Sequence, residues 1–206
     1  MERSWSRTAG ARVLGVCFGL GLTVSACSSS APPMQRLPDM TFLYKPPIRL
    51  NIARVEVVSE YTAPTVRPNI EYDMPVSPEA AVRKWAQDRL KPVGTTGILR
   101  VVIHKASATE NPLQTDQSLG GMFKKEQAAR VDESLDVTLQ MLDDHQFTVA
   151  DVTGKAFRSR TEPEDQKLNQ RDQLLYDLTY DLVRGFDDEV DANIRTGFNK
   201  WLDGAP

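Results

Sequence analysis

The feature that most constrains the fold is an apolar stripe in the last part of the chain. Apolar side chains recur there every three or four residues, and this spacing places them on one face of an α-helix. The side chains of this stripe are Leu175, Leu178, Leu182, Phe186, Val190, Ile194, Phe198 and Trp201. The residues between them predict an acidic outer surface: Asp177, Asp181, Asp187, Asp188 and Asp191. We therefore predict an amphipathic helix over Asn169–Leu202, which needs a second layer to cover its stripe.

This helix would be about 50 Å long, whereas a strand of nine residues spans only about 30 Å. It should therefore bend, most simply at Gly185, or overhang a sheet. An overhanging end makes Phe198 and Trp201 possible contacts for a partner or a lipid. The alternative is that both pack on the domain's own residues around Phe42 and Tyr44.

Four other segments have the apolar patterns of strands: Ile48–Tyr61, Ile98–Ala106, Val131–Leu142 and Phe147–Arg160. In the third, nearly all the apolar residues are odd-numbered and polar residues occupy the even positions up to Gln140, which predicts a strand with one face in water. The second is apolar on both parities and should be central. The first changes parity, which suggests a bulge near Ala53 and Arg54.

A shorter helix follows the first strand. Ser77 is a suitable N-cap and Pro78 suits the first helical position, while Pro92 and Gly94 end the pattern. The order β-α-β-β-β-α favours an α/β (α+β) two-layer sandwich with a four-stranded mixed sheet and two helices on one face. We expect this domain to span residues 47–206.

The first 26 residues have the character of a secretory signal. Arg3, Arg7 and Arg12 outweigh Glu2, and an uncharged, mostly apolar run follows over Val13–Ala26. The run is too short to span a bilayer as a helix, which takes about 20 residues. It fits the apolar region of a signal peptide instead.

The stretch Val24-Ser25-Ala26-Cys27 resembles the lipobox of bacterial lipoproteins. That resemblance implies cleavage before Cys27, diacylglycerol on its sulfur and a further acyl chain, such as palmitate, on the new amino terminus. Residues 27–46 would then form a lipidated tether and linker. Ser28 is not the Asp that resembles an inner-membrane retention signal in enteric bacteria, which favours the periplasmic face of the outer membrane over the inner membrane.

Cysteine usage and charge exclude several functions. Cys17 would leave with the signal, so Cys27 is the sole cysteine of the mature chain and no disulfide or thiol nucleophile is expected. Removal of three arginines and one glutamate takes the net charge from −3 to −5, which does not favour nucleic-acid binding. His104 and His145 have no metal-ligand spacing around them, and we expect no metal, no cofactor and no enzyme activity.

The connection Thr109–Arg130 is long for a link between two strands, and such loops are often functional. It carries Leu119, Met122 and Phe123 near two glycines, so these residues are possible contacts for a lipid or a partner. The alternative is that they fold back and cover an edge of the sheet.

The chain resembles lipoproteins of alphaproteobacterial genomes that carry no assigned activity, in the segments Glu110–Leu113, Gly120–Phe123, Gln127–Val131 and Arg158–Thr161. The element order with the lipobox is similar to auxiliary lipoproteins of ABC-type envelope lipid transport or lipopolysaccharide assembly. The resemblance implies a non-enzymatic accessory protein that binds envelope transport or assembly proteins, or lipid. A structural envelope lipoprotein without a specific ligand and a hydrolase with an unrecognised site remain alternatives.

Overall fold

The computed structural model describes residues 36–113, 127–163 and 165–203, all within one compact unit, Gln35–Pro206. Its two helices are α1, Pro78–Arg89, and α2, Leu168–Gly197, with short 3₁₀ turns at Glu71–Asp73 and Asn199–Trp201. Its strands are β1, Ile48–Leu50; β2, Arg54–Ser59; β3, Leu90–Pro92; β4, Ile98–Pro112; β5, Gln127–Leu142; and β6, Thr148–Pro163.

The main sheet has the strand order β2-β4-β5-β6. Strand β2 runs parallel to β4, and the other two neighbouring pairs are antiparallel. Apolar residues of α1, α2, β4 and β5 share one buried core. The predicted two-layer sandwich with a four-stranded mixed sheet and two helices is therefore confirmed.

Strand β5 shows most directly why one face of the sheet is covered. Val131, Leu135, Val137, Leu139 and Met141 are all buried, while the even-numbered residues between Asp132 and Gln140 are half-exposed. Because side chains alternate along a strand, this pattern places one face in the core and the other in water.

Strand β4 changes parity part-way along its length. Leu99, Val101 and Ile103 face the core first, and Ala106 and Ala108 face it afterwards. The pairing with β5 shifts between Ile103 and Lys105, so a bulge at His104 accounts for the change. The two-sided apolar pattern of this strand has two causes: the bulge, and the burial of Ile98 and Val102 on the other parity.

The bulge predicted near Ala53 is instead a break between two strands. β1 pairs with β3 in a separate two-stranded sheet, whereas β2 joins the main sheet. The chain bends at 51–53, where the Asn51 N–H donates to the carbonyl of Trp201 at 2.7 Å. A change of parity is compatible with either a bulge or a break, and the pattern alone does not separate them.

Helix α1 begins where the sequence predicts. The Ser77 hydroxyl accepts a hydrogen bond from the Ala80 N–H at 3.3 Å, and Pro78 occupies the first helical position. The helix ends at Arg89, and the next residues form β3. The predicted end signals, Pro92 and Gly94, therefore lie beyond a short strand.

The expectation that α2 overhangs the sheet is wrong. With 30 residues α2 is about 45 Å long, but β5 and β6 have 16 residues each and span about 54 Å. The strands reach this length because residues 109–112 and 127–130, predicted as loop, are strand. Helix α2 is continuous through Gly185, where a Cβ would collide with the guanidinium of Arg158.

Candidate functional site

Four of the six predicted site residues lie outside the described part of the chain: Cys27, Leu119, Met122 and Phe123. Their roles therefore stay predictions. None of the described helices has the combination of length and apolar character needed to cross a membrane.

The other two predicted contacts, Phe198 and Trp201, belong to the core of the domain. Phe198 is fully buried in the same core as Phe42, and its ring meets that of Trp201 edge-on at 6.1 Å between centroids. Trp201 is half-buried against this core. The prediction that Phe198 is a surface contact is wrong, because α2 ends at Gly197 and does not extend beyond the sheet.

A cleft of about 250 Å³ opens beside the edge of β4. Its lining comes from the chain after β2, the first 3₁₀ turn, the start of α1 and the middle of β4. The residues that line it are Tyr61, Thr62, Ala63, Glu71, Tyr72, Ser77, Glu79 and Ala106.

Glu71 is the buried carboxylate of this cleft, with only 5% of its surface exposed. Strand β2 ends at Ser59, so the edge of β4 beyond that point needs other partners. One Glu71 oxygen accepts from the Ala108 N–H at 3.0 Å and from the Tyr61 hydroxyl at 2.5 Å. Its other oxygen, Oε2, is buried without a hydrogen bond.

The cleft is therefore rich in hydrogen-bond acceptors. Burial raises the pKa of Tyr61, and its hydrogen bond to Glu71 raises it further, so its proton stays on the phenol. The Ser77 hydroxyl is engaged as the N-cap of α1 and is not arranged as a nucleophile. Glu79 accepts two hydrogen bonds from Arg83. Chemically, the lining suits a small polar ligand that donates hydrogen bonds.

A buried ionic network joins α1 to α2. Asp187 is fully buried and accepts from the Arg89 Nε at 2.9 Å, the Trp85 indole at 2.7 Å and the Tyr44 hydroxyl at 2.7 Å. Arg89 also donates to Asp191 at 3.0 Å. Burial alone would raise the pKa of Asp187, but these hydrogen bonds lower it below its usual value and keep the carboxylate charged.

Residues 37–46, which precede β1 and which we call the lead-in segment, pack along α2. The ring of Phe42 stacks on Tyr180 at 5.6 Å, Tyr44 bonds Asp187, and the Lys45 ammonium lies 2.5 Å from Asp188. Met40 and Phe42 are buried in the core. The folded domain therefore begins before residue 47. Residues 37–46 belong to it and not to the tether predicted over residues 27–46.

Glu133 is a second buried carboxyl, on the core-facing side of β5, with no exposed surface. Burial raises its pKa to about 8, against weaker lowering effects of the hydrogen bond to Thr179 and the charge of Arg160. Glu133 Oε1 lies 3.0 Å from the Thr179 hydroxyl, which lies 3.3 Å from the Val76 carbonyl. The Thr179 hydroxyl donates to this Glu133 oxygen, which partly offsets the effect of burial on the pKa of Glu133.

His104 lies in a hydrogen-bonded chain on the open face of the sheet. Its Nδ1 is 2.7 Å from a Glu60 oxygen and its Nε2 is 3.1 Å from the Thr138 hydroxyl. All three residues are at least partly exposed, and none lines the cleft at Glu71. His145 lies in the exposed turn between β5 and β6. In the part of the chain that the structure describes, no group of three or more His, Cys, Asp or Glu side chains could hold a metal ion.

The sequence matches no protein-family model and no curated protein. Three solved structures show a loose likeness. Rare lipoprotein B from Shewanella oneidensis has 11% identity and a TM-score of 0.36, covering 69% of this chain and 95% of that one. A minor lipoprotein from Acinetobacter baumannii has 14% identity and a TM-score of 0.36, covering 76% and 99%. A Xanthomonas campestris protein has 11% identity and a TM-score of 0.30, covering 76% and 93%.

Sequence reasoning missed the buried polar groups. Asp187, predicted to lie on the acidic outer surface of α2, is buried, because it lies four residues after Val183 and three before Val190, at the border of the apolar stripe. That position was the available signal. Glu71 gave no comparable signal, because it becomes buried through the pairing of its segment with β4.

Proposed function

We propose that the chain is a lipid-anchored accessory protein of the bacterial envelope, which acts by binding and not by catalysis. Acyl chains on Cys27 would hold it on the periplasmic face of the outer membrane. Its partners would be proteins of an envelope transport or assembly system, or lipid.

The observation that carries this proposal is the position of Cys27 at the end of an apolar run that resembles a signal peptide. The chain after Cys27 leads to the lead-in segment, which packs on the folded domain. Two or more acyl chains give stable anchoring where one chain is marginal. Phe42, Tyr44 and Lys45 attach the chain to α2, so the anchor would hold the folded domain and not a loose tail.

The cleft at Glu71 supports a binding role. It is concave, lined by phenols and carboxylates, and built from four separate segments of the domain. Tyr72 lines it and is 68% exposed, so a partner could contact the ring without unfolding anything.

The anchor is tested by intact mass of the protein purified from membranes. We expect the mature chain to begin at Cys27 and to carry diacylglycerol and one further acyl chain. The variant Cys27→Ser should remain an uncleaved or soluble species. A wild-type mass without lipid would contradict the proposal.

The binding role is tested by affinity capture from detergent-solubilised envelopes. We expect wild type and Phe147→Ser to recover the same envelope protein or lipid, and Tyr72→Ser to lose it. Phe147 is the matched control because it is 70% exposed and lies in the turn between β5 and β6. Recovery of no envelope partner and no lipid by wild type would refute the binding role.

One observation favours a hydrolase as a second candidate. Hydrogen bonds link the carboxylate of Glu60, the imidazole of His104 and the hydroxyl of Thr138 in series, which is the order of groups found in nucleophilic sites. If this candidate is right, Thr138→Ala and His104→Gln should each abolish ester hydrolysis by the purified protein. Wild type that hydrolyses no ester faster than these variants would remove it.

A further inference from the structure

We infer that one end of the sandwich, which we call the proximal end, faces the bilayer and contacts its lipid surface. The proximal end is where β4 and β6 finish and α2 begins, and it carries Val66 and Leu168. This inference rests on the proposed lipidation of Cys27, and it adds which surface the anchor brings to the membrane.

The first step is the direction of the lead-in segment. Leu37 lines a cavity with Asn169, Gln170 and Gln173, at the beginning of α2. Further along, Phe42 contacts Tyr180 and Lys45 contacts Asp188. The segment therefore runs beside α2 in the same direction as the helix, and its first residues lie at the start of the helix.

The second step is which end of the sheet lies beneath the start of α2. Arg171 donates to Glu110 of β4 at 3.2 Å and to Glu162 of β6 at 3.3 Å. Both strands are close to their last residues there. The chain thus leaves the domain toward Cys27 at the end where β4 and β6 finish.

The same ionic group places two exposed apolar side chains at this end. The second oxygen of Glu110 accepts from Arg67 at 2.5 Å, directly after Val66 in the chain. Leu168 is the first residue of α2, three residues before Arg171. Val66 is 67% exposed and Leu168 is 74% exposed, although each would gain from removal from water.

The third step is the reach of the tether. Eight residues lie between Cys27 and Arg36, and the nine Cα–Cα steps that join the two span about 32 Å at most when fully extended. As a flexible coil they would span roughly 17 Å. The long strands β5 and β6 span about 54 Å. The tether is thus shorter than the sheet, which keeps the proximal end near the anchor.

Apolar contact should contribute to holding this end on lipid. Arg67 is already paired with Asp73 at 3.2 Å and with Glu110. Val66 and Leu168, by contrast, are apolar side chains that the described residues leave largely uncovered. Partial immersion of such side chains at the headgroup boundary is how amphipathic surfaces bind membranes.

The test uses the absence of any free thiol once Cys27 is acylated. A single cysteine is introduced as Leu168→Cys, Val66→Cys or Phe147→Cys, and each lipidated protein is labelled with a fluorophore. The proteins are reconstituted in phosphatidylethanolamine and phosphatidylglycerol vesicles that carry a quencher on the lipid headgroup. Phe147 is the matched control because it is 70% exposed and lies at the other end of β5.

We expect the labels at residues 168 and 66 to be quenched severalfold more than the label at residue 147, and this difference to persist at high salt. Equal quenching at the two ends, or stronger quenching at residue 147, would overturn the inference. Intact mass separates the two proposals. Equal quenching with acylated Cys27 refutes the orientation alone, whereas a mass without acyl chains refutes the anchor.

Discussion

Substitution of Glu133 by Gln should stabilise the domain, and by an amount that grows with pH. Burial raises the pKa of Glu133 from its usual value of 4.5 to about 8. Below pH 4.5 the carboxyl is protonated in both the folded and the unfolded chain, so it has no effect on the pH dependence. Between 4.5 and 8 the unfolded chain releases the proton while the folded chain keeps it, and the wild type loses stability.

The size of the effect follows from the difference in pKa. Each pH unit within this window costs the wild type about 1.4 kcal/mol of unfolding free energy. The loss is below about 1 kcal/mol at pH 5 and reaches about 3 kcal/mol at pH 7. Gln cannot ionise, and its amide oxygen can accept from the Thr179 hydroxyl as the carboxyl of Glu133 does. Glu133→Gln should therefore recover most of this loss.

Urea unfolding at pH 5, 7 and 8.5 measures the difference between Glu133→Gln and wild type. Glu189→Gln is the control, because Glu189 is an exposed residue of α2 and its substitution removes the same charge without a buried site. A Glu133→Gln difference that stays constant from pH 5 to 8.5 would refute the reasoning. So would a difference that shrinks as the pH rises.

Two further predictions concern packing and the ionic network. Asp187→Ala leaves the buried Arg89 without its main partner and should lower the free energy of unfolding by about 3–5 kcal/mol. Asp188→Ala removes an exposed ion pair and should lower it by about 1 kcal/mol or less. Equal losses in denaturant unfolding would contradict this prediction. Gly154→Ala places a methyl group 2.8 Å from the Phe186 ring and should cost about 1–3 kcal/mol, more than Gly185→Ala, whose new methyl group meets only a flexible arginine. Thermal melts of the two variants compare them, and a larger loss at residue 185 would be the contrary result.

Local patterns were enough for most of the fold. The alternation along β5 and the N-cap at Ser77 each depend on residues close in sequence, and both are confirmed. The apolar stripe predicts helix α2 correctly up to Gly197 for the same reason. These features are set by period and capping chemistry, which a single sequence displays.

What the sequence could not show depends on partners far away along the chain. The sequence predicts the end of β4 too early, because Thr109–Asn111 is polar and half-exposed and becomes strand only through its pairing with β5. The burial of Asp187 requires Arg89 and Tyr44, which lie 98 and 143 residues away from it. No periodicity within α2 reports such partners, so the border position of Asp187 could indicate its burial but not its partners, and the cleft at Glu71 could not be predicted from the sequence.

The attachment of residues 37–46 along α2 also determines how the domain would respond to force. A pull on Cys27 would load the contacts of Phe42, Tyr44 and Lys45 along the axis of the helix, so that they resist together in shear and are not peeled away one by one. The same contacts connect to α1 through Arg89 and Asp187, which would spread the load over both helices. If Cys27 is anchored as proposed, a short tether would join the membrane to a segment that is packed on the domain. Movement of the membrane would then be transmitted to the whole sandwich.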